Sequence, residues 1–239
     1  MKVCFLGVGS AVDESYPNTS ILVLSKTKLL LDCGYSAAQK LWCYNPNPSF
    51  LDAIFISHLH ADHFFGLPSL LLRMLEDKRI KPLIIVCSQT AKTAIMKVNE
   101  LGYSTILKRI AFPLNFIEVK SGQSVKLNEL TLSFAKTSHT VSNFAIKIEE
   151  KGKSICYSGD GDYTKDSERL FEQAGLLIHE GFLFDEKING HGSITDTIAM
   201  AHRAKVKLLK IIHVNRKERK KLPMSIWPLL AREGESVGY

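Results

Sequence analysis

Short apolar runs rich in β-branched residues recur along this chain, and several of them end on a residue with acid–base or metal-ligand chemistry. "AIFIS" runs into His58, "LTLSFAKTS" into His139 and "SICYSG" into Asp160, while "LLIHE" closes on Glu180 and "LLKIIH" on His213. Runs of this length and composition read as buried strands. "VCFLGV", "ILVLS", "KLLLDCG", "LIIVC" and "FAIKI" read the same way. Helical spacing appears between some of them. It is carried by Leu67, Leu70, Leu71 and Met74, by Ile95, Val98 and Leu101, and by Ile198, Ala201 and Ala204, with Ser193 or Thr195 placed to cap the last. The expectation is two sheets, or one large mixed sheet, between helices. In open α/β sheets ligands bind at the carboxyl ends of strands, so groups far apart in sequence converge there.

The densest of these strand ends is "HLHADH", which puts His58, His60, Asp62 and His63 within six residues. Imidazole nitrogens and carboxylate oxygens suit Zn²⁺ and other borderline divalent ions. His58 and His60 alternate in a loop, so both can face one ion. Asp62 and His63 fall at the start of a helix expected near Phe64 and can serve a second ion. His139, Asp160 and His213 supply the remaining ligands, and Asp160 is the natural bridge because a carboxylate has two oxygens. A fortuitous histidine-rich loop is the competing reading; the polar strand ends downstream weigh against it. Two ions about 4 Å apart lower the pKa of water and clamp phosphoryl oxygens, so no Ser or Cys nucleophile is required. "YSGDGD" lacks a G-x-S-x-G elbow in any case.

Composition bounds the rest. At 239 residues, 45% hydrophobic and 23% charged, the chain reads as one globular domain over 1–239, with a basic segment and tail over 216–239. No apolar run approaches the ~20 residues of a membrane helix. "MKVCFLGVGSAV" lacks the features of a signal peptide. Five dispersed cysteines without C-x-x-C spacing fit a reducing cytoplasm. The net charge of +7 hints at a polyanionic partner. "RKERKK" (Arg216–Lys221), read by itself, is a solvated segment.

"HLHADH" with His139, Asp160 and His213 resembles the metallo-β-lactamase superfamily, and within it the ribonuclease Z branch of tRNA 3′-end processing endonucleases. "FLGVGSA", "NTSILV" and "LLLDCG" are similar to the family's first strands, "HADHFFGLPSLL" to its metal motif, "YSGD" to the strand with the bridging Asp, "LLIHEGF" and "GHGS" to its Glu and His pair, and "IIHVNR" to its last metal His. The resemblance implies an αββα four-layer sandwich and a metal-dependent phosphodiester hydrolase. It implies His58, His60, His139 and Asp160 around one metal, and Asp62, His63, His213 and shared Asp160 around the other. It also implies that Asp62 orients or deprotonates water, and that His191, fixed by Glu180, assists the leaving oxygen. By themselves Glu180 is a strand-end charge and His191 a loop histidine. Asp32 and Asp162 are read as supporting polar neighbours. The ligand set favours Zn²⁺, with Mn²⁺ or Fe²⁺ also competent. The implied substrate is RNA, a tRNA precursor; a small, cyclic phosphodiester or another ester is the alternative. The reason is that only "TVSNFAIKIEEKGKSICYSG" separates His139 from Asp160, room for a hairpin and not for the family's tRNA-gripping arm. A homodimer is an assembly that related enzymes form.

Overall fold

The computed structural model describes residues 1–238. The first half of the chain runs β1 (Lys2–Gly7), β2 (Ser20–Leu24), β3 (Lys28–Leu31), α1 (Ala37–Tyr44), β4 (Ala53–Phe55), α2 (Ala61–Phe64), α3 (Leu67–Glu76), β5 (Leu83–Cys87), α4 (Gln89–Gly102), α5 (Ile106–Arg109) and β6 (Leu114–Glu118). The second half runs β7 (Ser124–Leu127), β8 (Leu130–Lys136), β9 (Phe144–Glu150), β10 (Lys153–Tyr157), α6 (Lys165–Phe171), β11 (Leu176–Glu180), α7 (Ile194–Arg203), β12 (Leu209–Ile212), α8 (Arg216–Arg219), a 3-10 helix (Met224–Leu229) and β13 (Ser236–Gly238).

These strands form two sheets, not one. One has the order β13-β1-β2-β3-β4-β5-β6 and the other β12-β11-β10-β9-β8-β7. Strand alternation places successive side chains on opposite faces. Leu29 and Leu31 therefore face the second sheet, meeting Phe134, Ile146 and Tyr157, while Leu30 faces outward onto the helices with Ile54 and Leu70. The outer face of the second sheet, through Cys156 and Leu177, takes Phe171 and Met200 from α6 and α7. Helix, sheet, sheet, helix is the expected αββα sandwich. Because the central strands are covered on both faces, they read as continuous apolar runs.

The topology gathers the site. β3 pairs in parallel with β4, and β10, β11 and β12 are mutually parallel, so their carboxyl ends share one edge of the sandwich. A close backbone approach seals that edge. A Cβ on Gly34 would stand 1.9 Å from the Asp62 carbonyl oxygen, so only glycine lets the β3 end press against α2. β9 and β10 are joined by a two-residue turn, Lys151–Gly152, with both φ values positive at 50° and 76°, the tight hairpin geometry. This confirms a hairpin where an arm would project.

One expectation is corrected and one open choice is settled. The helix expected near Phe64 starts at Ala61, so Asp62 and His63 lie inside its single turn. Of the two caps considered for α7, Ser193 fills the role, its side chain accepting the Asp196 N–H at 3.2 Å.

Candidate active site

Every strand-end group named from sequence arrives at the shared edge. His58 and His60 follow β4, His139 follows β8, Asp160 follows β10, Glu180 ends β11 and His213 follows β12. His213 adopts φ 56° and Asp32, just past β3, φ 58°. Left-handed backbone at non-glycine residues costs free energy and persists where the surroundings over-determine it. Here it turns both side chains into the cluster as their strands end.

The first group is His58, His60, His139 and Asp160. The outward hydrogen bonds decide which ring nitrogen faces inward. His58 Nδ1 meets Ser57 Oγ at 2.9 Å, and that hydroxyl donates to Asp32 Oδ2 at 2.7 Å, so Nδ1–H is the donor and Nε2 is free. His139 Nδ1 donates to the Gly190 carbonyl, which frees its Nε2 as well. These nitrogens approach His60 Nδ1 at 3.2 and 3.0 Å. With neutral rings, the three nitrogens hold at most one proton between them. Their lone pairs would repel unless a cation sat among them, so this donor set fits a divalent metal. Burial and the neighbouring His63 lower His58 well below the usual imidazole value, and burial with His139 lowers His60. Both rings are thus kept in the neutral, ligating form.

The second group is Asp62, His63, Asp160 and His213, all buried. His63 Nδ1 donates to Asp32 Oδ2 at 2.7 Å, which turns Nε2 toward Asp62 and Asp160 at 3.3 and 3.4 Å. His213 Nε2 lies 3.3 Å from the same two carboxylates. Burial opposes charge on His63 and His213, yet Asp160 and its fellow carboxylates raise both above the usual imidazole value. Burial alone would raise Asp62 and Asp160; the imidazoles hold both well below the usual carboxylate range. Two buried carboxylates demand positive charge, and protons supply it where a metal would. His63 Nε2 and Asp160 Oδ1 remain buried without a hydrogen-bond partner, as ligand atoms awaiting an ion would be, while His213 Nδ1, also unpaired, points away from the cluster toward Glu180.

Glu180 lies under both loops. Its Oε1 accepts the Gly161 and Gly192 N–H groups at 2.7 and 3.1 Å, and its Oε2 accepts His191 Nδ1–H at 2.8 Å. The His191 ring stacks on Phe182 at 4.4 Å and lines a cleft of about 410 Å³ with Asp62, Asp160 and His213. Asp160, Glu180, His191 and His213 also converge as a third group of potential ligand atoms.

Asp32 is fully buried and accepts from Ser57 N–H, Ser57 Oγ, His63 and Tyr157. Asp162 lies at the rim, paired with Lys187 at 2.7 Å. Sequence reading missed Ser57, Tyr157, Asn143 and Phe182. Asn143 is buried and binds Thr137 Oγ1, the Ser158 carbonyl and the Asp160 N–H, so it sets the loop that carries Asp160. Ser57 precedes His58 and Phe182 lies two residues past Glu180, a usable signal; a lone Asn carries none.

The family described as "Anti-Pycsar protein Apyc1" matches residues 1–225. A ribonuclease Z of Methanothermobacter thermautotrophicus is 27% identical over 270 aligned positions, covering 90% of this chain and 87% of the relative. That alignment is longer than the chain itself, so the relative carries segments that this chain lacks. The short form of human tRNase Z superposes with a TM-score of 0.82 at 24% identity, covering 100% of this chain and 99% of that one. The metallo-β-lactamase fold protein YhfI of Bacillus subtilis gives 0.81 at 23%, covering 99% and 98%. Both structures share the αββα fold. The chain belongs to the family described as Anti-Pycsar protein Apyc1 and has the metallo-β-lactamase fold.

Proposed function

We propose that this chain is a dinuclear metal-dependent phosphodiester hydrolase acting as a ribonuclease Z-like endoribonuclease on RNA 3′ ends, with tRNA precursors first among them. The observation that carries the reading is the pair of ligand clusters sharing Asp160, with the Glu180–His191 pair on the same cleft. His58, His60, His139 and Asp160 would hold one divalent ion, and Asp62, His63, His213 and Asp160 the other. Zn²⁺ suits these donors best, with Mn²⁺ or Fe²⁺ also competent. When bound, such ions supply Lewis acidity toward the phosphoryl oxygens and lower the pKa of water.

The chain's own residues do the rest. Asp62, held ionised, orients the attacking water and takes its proton. Glu180 fixes the His191 ring through Nδ1, so that Nε2 can give a proton to the departing oxygen. Asp32 holds His58, through Ser57, and His63 in the tautomers that ligate. The fold works as one domain, 1–239, as a soluble cytoplasmic enzyme, in keeping with five free cysteines and with no helix long and apolar enough to cross a membrane among the described residues. A homodimer is part of this proposal.

The two-residue β9–β10 turn favours a second reading. Without an arm there is little surface to grip a tRNA body, and a compact, cyclic phosphodiester or another small ester needs none. The role in the family's description, anti-Pycsar, would then be exercised through that hydrolysis. Metal-loaded protein should be assayed against a pre-tRNA, a cyclic mononucleotide and a chromogenic phosphodiester. Cleavage of pre-tRNA at its 3′ end supports the first reading, and turnover of the cyclic diester alone supports the second. Inactivity on all three with both ions bound overturns phosphodiester hydrolysis.

A further inference from the structure

Glu180 holds the His191 ring by one atom, its Oε2 accepting Nδ1–H at 2.8 Å. A hydrogen bond at one ring atom leaves the imidazole plane free to tilt about it, and the outer torsion of histidine has a broad minimum. The atom that such tilting displaces is Nε2, which lies across the ring from that bond. The role given to His191 needs Nε2 aimed at one point of the cleft, so something besides Glu180 must fix the plane.

Phe182 is placed to do this. Its ring lies against the face of His191, with centroids 4.4 Å apart and 22° between the planes. The His139 ring is 5.0 Å away and nearly perpendicular, so it meets the imidazole by an edge. The position of Phe182 does not depend on its own ring. Its N–H donates to the Gly192 carbonyl at 3.1 Å and its carbonyl accepts the Asn215 N–H at 2.8 Å, so its main chain ties the His191 loop to the loop after His213. Gly181 before it has no room for a side chain: a Cβ there would stand 2.6 Å from Ile194 Cγ1 and 2.9 Å from Ile211 Cγ2. The Phe182 side chain itself is half-buried and lines the cleft.

We propose that Phe182 is a positioning residue for the leaving-group step: its ring fixes the plane of His191 so that Nε2 meets the departing oxygen. This rests on the reading of His191 as the proton donor and deepens it. In that step the Nε2–H bond breaks as the O–H bond of the leaving alcohol forms, and Nδ1–H keeps its bond to Glu180. The argument holds for a cyclic and a linear diester alike, because both release an alkoxide oxygen that must be protonated. Aromatic stacking at this distance favours one ring orientation over the others by about tenfold. Phe182 carries no ionisable group and no metal-ligand atom, so its whole effect on the reaction passes through His191.

The test measures kcat and KM on two diesters, one releasing a ribose hydroxyl and one releasing nitrophenolate, with metal content checked. F182L keeps the apolar volume and removes the flat face. It should lower kcat about tenfold on the ribose diester and little on the nitrophenyl one, with KM and metals unchanged. F182Y, which keeps the ring, should restore wild-type kcat. In an H191A background, F182L should cost nothing further. Equal losses on both leaving groups, a loss carried by KM, or a full additional loss on top of H191A overturns the proposal. If H191A itself shows no leaving-group dependence, the reading of His191 as donor fails. The stack is then decided by nuclear magnetic resonance of the zinc-loaded protein, which follows the His191 Nδ1–H proton bonded to Glu180. F182L should speed its exchange with water about tenfold, and an unchanged rate overturns the stack.

Discussion

The two ligand clusters share Asp160 but are built differently. Around His58, His60 and His139 the donors are three imidazoles and one carboxylate, and His60 and His139 are partly exposed. Around Asp62, His63 and His213 there are two carboxylates, and every member is buried. Behind the buried cluster lie two further acids, Asp32 on His63 at 2.7 Å and Glu180 3.6 Å from His213 Nδ1. Behind the open cluster lie a hydroxyl and a carbonyl, Ser57 and Gly190. The difference predicts which ion would be held more tightly and which would exchange more readily. The buried, more anionic cluster should bind its ion tightly and the open one should lose its ion first, while both border the cleft, the first through Asp62 and His213 and the second through His60.

Asp160→Ala breaks the comparison outright, because it removes the one carboxylate common to both clusters. Turnover of any phosphodiester should disappear, and activity within tenfold of wild type would refute a shared ligand.

His191→Ala leaves both clusters whole and should cost about 10²–10⁴ in rate, the usual range for a lost acid or base. The loss should shrink on a nitrophenyl diester, whose leaving group needs little protonation. Equal losses on good and poor leaving groups would assign His191 to substrate binding, and loss of metal would make it a ligand. Glu180→Gln should be milder, since the imidazole remains.

Asp32→Asn sharpens the comparison. It weakens the acceptor behind His63 and should reduce metal affinity about 10–100-fold. The buried ion should suffer more than the open one, although Asp32 also reaches His58 through Ser57. A matched loss at both sites would show that Asp32 supports the whole cluster rather than one side. The smallest effect belongs to the wild-type protein under a chelator titration. Two phases are expected, the first of which His60→Gln should abolish. A single phase would mean that the ions leave together.

Much of this was legible because strand ends are local. His58, His139, Asp160, Glu180 and His213 each follow a continuous apolar run, and such runs mark strands covered on both faces. β6 and β7 escaped because they are edge strands with half-exposed patterns, and β13 because three residues carry no period. α6 escaped despite its Thr164–Ser167 capping box, since its apolar face is little more than Leu170 and Phe171. Support for the site was the least legible. Tyr157 reaches Asp32 across 125 positions, and Asn143 binds the Asp160 loop from 17 positions away. The basic run misled for the opposite reason: composition made it look uniform, while the fold buries Arg219, exposes its lysines and turns Arg216 into the cleft.

The most direct test of two ions bridged by Asp160 is the metal stoichiometry of purified, Zn²⁺-titrated protein. Wild type should hold two equivalents, His60→Gln about one, and Asp160→Ala less than one. Two equivalents retained by Asp160→Ala would contradict the account.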